Sequence, residues 1–242
     1  MLRSTPKAST DLAVIGHRGV RAIMPENTLA GFRRAQEVGA DGIELDVRVS
    51  KDGIPVIMHD DDITETTNGQ GRVRDLTLAE LQAVELDDGL GIPTLKEALD
   101  CNDLTVQVEI KDPNDVSAIA EEISRRGDLH RFVLTSSVPD VLRLIRETPY
   151  DATPVGWIPR FLDSEAIRVA KKFDATWLYP GIEGSHKSAV DEAHAAGMTV
   201  HMWMINDLPT LRRAIELGVD GVTSDDPGAV VSMLQGLSGG AQ

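Results

Sequence analysis

A chain of 242 residues with 24 basic and 39 acidic side chains, a formal charge of −15, repels extended polyanions, which argues against nucleic acid and anionic membrane surfaces as partners. Hydrophobic residues at 41% and charged residues at 26% are values of a folded globular protein and exclude a disordered or fibrous chain. Cys101 is the single cysteine, so no intrachain disulfide can form.

The opening MLRSTPKAST has no apolar h-region behind it, and no run approaches the roughly 18 apolar residues of a membrane span, so a cytoplasmic protein without stable membrane insertion is the expectation. The apolar run 12–15, closed by Gly16-His17-Arg18-Gly19, predicts a buried strand ending in a tight polar loop. Pro25-Glu26-Asn27-Thr28 starts a helix that either Asn27 or Thr28 can cap; Leu29, Phe32 and Ala35 form its apolar stripe, and Gly39 ends it. In 42–49 the apolar Ile43, Leu45, Val47 and Val49 alternate with Glu44, Asp46 and Arg48, so both carboxylates share one strand face. Residues two apart on a strand are about 6.5–7 Å apart along it, close enough for both carboxylates to grip one cation. Lys51-Asp52-Gly53 supplies a turn, and 54–58 runs back so that His59 returns toward the pair. A surface hairpin with a solvated polar face fits the same segment.

From 60 to 88 the pattern breaks into polar residues and a short helix with Leu76, Leu78 and Leu81. This is read as a small insertion at about 60–93, not a second domain, because about thirty residues cannot bury a core of their own. Helices are then expected at 94–99, 113–126, 139–146, 164–172, 186–196, 208–216 and 228–234, and strands at 104–111, 132–135, 153–157, 176–179, 199–204 and 219–223, before a polar tail from 238. With the hairpin's return arm set aside, eight strands alternate with helices, which predicts an α/β fold, a (β/α)8 TIM barrel forming one domain over 1–242. A doubly wound open sheet fits less well, because no Gly-rich turn follows the first strand.

Catalytic groups of a barrel gather at the carboxyl ends of its strands. Here the first ends at His17-Arg18, the second carries Glu44 and Asp46, the third Glu109 and Lys111, and the seventh ends near Trp203 and Asn206. Buried parallel strands are usually continuous apolar runs, so Gln107, Glu109 and Lys111 alternating with Val106, Val108 and Ile110 call for a partner inside the barrel. Glu44, Asp46 and Glu109 form an all-oxygen set suited to one divalent cation, Mg²⁺ or Ca²⁺, and poorly suited to zinc. A structural ion pair from Lys111 to a carboxylate is the alternative. His130, His186, His194 and His201 fall without carboxylate company and are expected to be surface or core residues, and Asp61 and Asp62 to be solvated.

Taken together, His17-Arg18-Gly19, Pro25-Glu26-Asn27-Thr28, Glu44-Leu45-Asp46, Lys51-Asp52-Gly53, His59-Asp60, Thr66-Thr67-Asn68-Gly69, Glu109-Ile110-Lys111, Trp203, Asn206, Asp220-Gly221 and Ser224-Asp225 follow the order of one family. The chain resembles the glycerophosphodiester phosphodiesterases over nearly its whole length. That resemblance implies a barrel with a small insertion and metal-dependent hydrolysis of a small glycerophosphodiester to an alcohol and sn-glycerol 3-phosphate. It also implies one divalent ion on Glu44, Asp46 and Glu109, His17 and His59 as the acid/base pair, and phosphate held by Arg18 and Lys111. Trp203, if it points inward, offers a flat apolar wall beside the phosphate. Glu65, Ile63 and Asp226 depart from the family pattern, which usually has arginine, leucine and an aromatic residue there. A lysophospholipase D acting on lysolipids and a non-catalytic barrel binding protein are the competing readings; the latter would be expected to lack one of the histidines or carboxylates.

Overall fold

The computed structural model describes residues 12–86, 89–149 and 153–239, so the opening segment and the end of the polar tail lie outside the described residues. The chain runs β1 (Ala13–Gly16), α1 (Leu29–Glu37), β2 (Gly42–Val49), β3 (Pro55–Ile57), α2 (Leu78–Ala83), α3 (Leu95–Asp100), β4 (Thr105–Ile110), α4 (Val116–Ser124) and β5 (Phe132–Ser136). It continues through α5 (Pro139–Glu147), β6 (Val155–Trp157), α6 (Ser164–Lys172), β7 (Trp177–Leu178), α7 (Lys187–Ala195), β8 (Thr199–Met202), α8 (Leu208–Leu217), β9 (Gly221–Ser224) and α9 (Pro227–Gly239). Eight strands pair in parallel in the order β1, β2, β4, β5, β6, β7, β8, β9, and β9 pairs back onto β1 to close the barrel. β3 lies antiparallel on β2 outside this ring, with Val47 opposite Ile57 and Val49 opposite Pro55. The TIM-barrel expectation holds.

Period-two alternation sends Ile43, Leu45 and Val47 of β2 and Val106, Val108 and Ile110 of β4 outward, where they are fully buried in a core shared with Phe32 of α1 and Ile119 and Ile123 of α4. Each such side chain contributes roughly 1.5–3 kcal/mol by leaving water. The opposite faces point into the lumen, where the rings of Trp177, Tyr179 and His201 pack with centroids 5.1–6.1 Å apart. Gly156 and Gly221 make room for them: a Cβ would stand 2.6 Å from the Tyr179 ring at the first and 2.5 Å from the His201 ring at the second.

The excursion between β3 and α3 does have a small apolar cluster, of Ile63, Val73, Leu81, Leu86 and Ile92. Val56 and Met58 from the returning arm of the hairpin complete it. Capping boxes at Thr77/Glu80 and Thr94/Glu97 start α2 and α3. β8 stops at Met202, short of the expected 204, because after Met202 opposite Val222 the backbone leaves β9. Trp203 bonds instead to the loop after β7, its N–H donating to the Pro180 carbonyl and its carbonyl accepting from Ile182. α9 runs to 239, past the expected 234.

The turn carrying His17 and Arg18 depends on the absence of a side chain at Gly16, where a Cβ would meet the Gly19 carbonyl oxygen at 2.1 Å. Backbone cannot swing aside as a side chain can. Gly16→Ala is therefore expected to lose roughly 1–3 kcal/mol in denaturant unfolding; unchanged stability would mean that this turn is not packed as described.

Candidate active site

All eight residues singled out from the sequence meet at the carboxyl ends of the strands. His17, Arg18, Glu44, His59, Glu109, Lys111 and Trp203 line one cavity of about 740 Å³, and Asp46 touches both Arg18 and Lys111 at its floor. Strand register brings the acids together: Asp46 stands directly opposite Glu109, and Glu44 opposite Gln107. One oxygen from each of Glu44, Asp46 and Glu109 lies within 4.8 Å of the other two. Glu44 and Asp46 are only 3% and 1% exposed, so the hairpin's polar face is not a solvated surface.

Buried charge of one sign needs opposite charge or donors. Lys111 Nζ lies 2.8 Å from Asp46 Oδ1 and 2.9 Å from Glu109 Oε1. Arg18 Nε is 3.1 Å from Asp46 Oδ2, and the Arg18 backbone N–H donates to Glu44 Oε2 at 2.9 Å. Asn27 Nδ2 donates to Asp46 Oδ2 at 3.0 Å. Burial pushes the Glu44 carboxyl well above its ordinary range, and repulsion from Asp46 and Glu109 adds to this. Burial also acts to raise Asp46, but Lys111, Arg18 and His59 outweigh it and hold that carboxyl at about 2. The Lys111 ammonium would be lowered by burial, yet Asp46, Glu109 and Glu44 keep it above its usual value. Three hard oxygen donors in so small a space fit a divalent cation. The expected alternative, an ion pair from Lys111 to these carboxylates, is also present.

Each histidine rests on a carboxylate. His17 Nδ1 is 2.7 Å from Asp225 Oδ1, which places the ring proton on Nδ1 and leaves the lone pair on Nε2, 3.9 Å from Glu44 Oε2. Burial lowers the His17 pKa, partly offset by Asp225. Asn206 Nδ2 donates to Asp225 Oδ2 at 2.7 Å, and the Asn206 Oδ1 accepts from the Ser224 hydroxyl and the Asp225 N–H. His59 Nδ1 is 2.8 Å from Asp60 Oδ1, and Arg48 Nε donates to the His59 carbonyl at 2.9 Å. The half-buried Trp203 is fixed by its indole N–H, which donates to the Tyr179 carbonyl at 2.7 Å.

Four expectations need correction or narrowing. Asn27 is not the cap of α1; Thr28 is, accepting from the Gly31 N–H. Asn27 instead adopts a left-handed φ of 57° and turns its amide onto Asp46. Asp61 is not merely solvated, since Arg48, Arg72 and Arg74 surround it. Asp62 caps the turn at Ile63–Glu65 by accepting from the Thr64 N–H. His194 does have carboxylate company, Asp220 at 2.9 Å, but before the amino end of β9 and so at the opposite end of the barrel. Of the departures from the family pattern, Ile63 is buried in the excursion's cluster, Glu65 is exposed, and Asp226 accepts from the Ala229 N–H at the start of α9. Reading the sequence alone missed Arg48 and Asp225 as supports of the histidines. Asp225 was visible only as part of a motif, 208 positions from the ring it holds.

A profile of the glycerophosphoryl diester phosphodiesterase family matches residues 17–229. The chain is 32% identical over 238 residues to the glycerophosphodiester phosphodiesterase of Caldanaerobacter subterraneus subsp. tengcongensis, an alignment covering 92% of this chain and 97% of the relative. Among solved structures, a glycerophosphodiester phosphodiesterase from Thermotoga maritima matches with a TM-score of 0.76 at 31% identity, covering 92% of this chain and 98% of the other. An Oleispira antarctica phosphodiesterase, solved in complex with the product sn-glycerol-3-phosphate, matches with a TM-score of 0.83 at 28% identity, over 92% and 96% of the two chains.

Proposed function

The chain belongs to the glycerophosphoryl diester phosphodiesterase family, and we propose that it cleaves water-soluble glycerophosphodiesters to an alcohol and sn-glycerol 3-phosphate, with His17 and His59 exchanging the protons. The observation that carries this reading is the convergence of three carboxylates, two carboxylate-seated histidines, Arg18 and Lys111 on one cavity. The product held by the Oleispira relative supports the assignment of substrate.

A phosphodiester carries one negative charge and loses an alkoxide, so its cleavage needs charge stabilised on the phosphoryl oxygens, a base for the nucleophile and an acid for the departing oxygen. Glu44, Asp46 and Glu109 would hold one divalent ion, Mg²⁺ or Ca²⁺, which when bound supplies charge neutralisation at the phosphoryl group. Arg18 and Lys111 hold the phosphate from their side of the cavity. Asp225 orients the His17 ring and Asp60 the His59 ring, so each keeps its Nε2 for proton transfer. Trp203 presents a flat apolar wall for the carbon face of a glycerol unit.

Glu44→Ala, Asp46→Ala and Glu109→Ala should each abolish both ion binding, read by calorimetry with Mg²⁺ or Ca²⁺, and turnover. Wild-type ion affinity in all three variants would move the site elsewhere. His17→Ala and His59→Ala should keep the ion but lose on the order of 10² to 10⁴ in turnover. A histidine whose removal leaves the rate intact is not part of the mechanism; if both act, kcat/KM follows a bell in pH.

The third expectation concerns substrate size. Among the described residues no helix is long and apolar enough to cross a membrane, and only nine aromatic residues (four Phe, three Trp and two Tyr) are available to seat an acyl chain. Glycerophosphocholine and glycerophosphoethanolamine should therefore be cleaved about tenfold or more better than lysophosphatidylcholine. The reverse order of kcat/KM would promote the lysophospholipase D reading.

A further inference from the structure

Across the mouth from the His17-Arg18 turn, one cation lining the cavity stands apart. In the closed ring β6 lies four strands from β1 in either direction, so the loop after β6 faces the His17-Arg18 turn. The end of β6 and that loop bring Trp157, Ile158, Pro159 and Arg160 to the cavity wall. It is firmly seated: Pro159 and Leu162 are buried, and a Cβ on Gly181 would come within 3.0 Å of the Arg160 carbonyl oxygen. The exposed Arg160 guanidinium lies over the Phe161 ring, 5.0 Å from its centroid.

Every other positively charged or ionisable basic group lining the cavity has an acid. Arg18 has Glu26 and Asp46, Arg21 has Glu26 at 2.7 Å, Lys111 has Asp46 and Glu109, His17 has Asp225 and His59 has Asp60. Arg160 has no carboxylate within ion-pair distance among the described residues, in a chain whose net charge is −15. Stacking on an aromatic face holds a guanidinium while leaving its N–H edge free for a planar anion. Phosphate held by Arg18 and Lys111 would send one arm of the diester across the mouth toward this edge.

Resting on the reading of the cavity as a glycerophosphodiester site, we propose that Arg160 selects diesters whose alcohol carries a carboxylate. Glycerophosphoserine and glycerophosphoethanolamine differ by that one group, so the ratio of their kcat/KM values isolates it. Wild type should favour the serine diester by roughly 1.5- to fivefold, the order that a solvent-exposed guanidinium–carboxylate pair is worth. Arg160→Gln should bring the ratio close to one and Arg160→Glu should invert it, while Arg212→Gln, which removes an exposed charge on the outer helix α8, should keep the wild-type ratio. A ratio indifferent to Arg160→Glu overturns this proposal and leaves diester cleavage standing. Absence of cleavage of both diesters by the wild-type protein overturns the functional reading itself, and this proposal with it.

Discussion

The buried acid cluster sets the terms for the rest of the molecule. Placing Asp46 of β2 beside Glu109 of β4, with Glu44 one step deeper, puts like charges close together in a largely buried space where water screens them weakly. Lys111 just past the end of β4, the Arg18 guanidinium and backbone, and the Asn27 amide all converge to offset that cost. Arg18 and Asn27 both adopt a left-handed backbone, with φ of 48° and 57°, to reach it. Such conformations are uncommon outside glycine and persist only where surrounding contacts over-determine them.

The barrel is the clamp that makes the cluster possible. Its outward faces, packed against the helices, carry the apolar burial, so the inward faces are free to hold charge near the mouth and rings below it. The excursion adds a second constraint: Arg74 reaches from it to Asp112, the residue after Lys111, and to Asp61, close behind His59. His59 is thus held by β2 through Arg48 and sits beside a segment tied to the end of β4.

Charge is distributed unevenly. The surface as a whole is strongly acidic, yet the cavity collects Arg18, Arg21, Lys111 and Arg160. Glu44, Glu109 and Asp225 line the same cavity and balance those cations locally, while an extended polyanion meets the repulsion of the whole acidic chain. Most of those cations are locked to acids; Arg160 alone retains an open edge among the described lining residues.

Local pattern was enough for the fold and for the groups that carry charge. Alternation in 42–49 and 105–110 showed which side chains share a face, glycines such as Gly39, Gly197 and Gly218 marked helix ends, and the count of strands pointed to a barrel. These features depend on neighbours a few residues apart, so they are written in the sequence. What the sequence could not decide is which distant groups hold the chemistry in place. Thr28 or Asn27 as cap was undecided locally, because Asn27 is claimed by Asp46 from the next strand. Arg48 read as one more charge of an alternating strand, and its bond to the His59 carbonyl exists only because the hairpin returns antiparallel in one register. Asp225 reaches His17 only because β9 pairs with β1, and no pattern within either segment encodes the closure of the ring that brings them together.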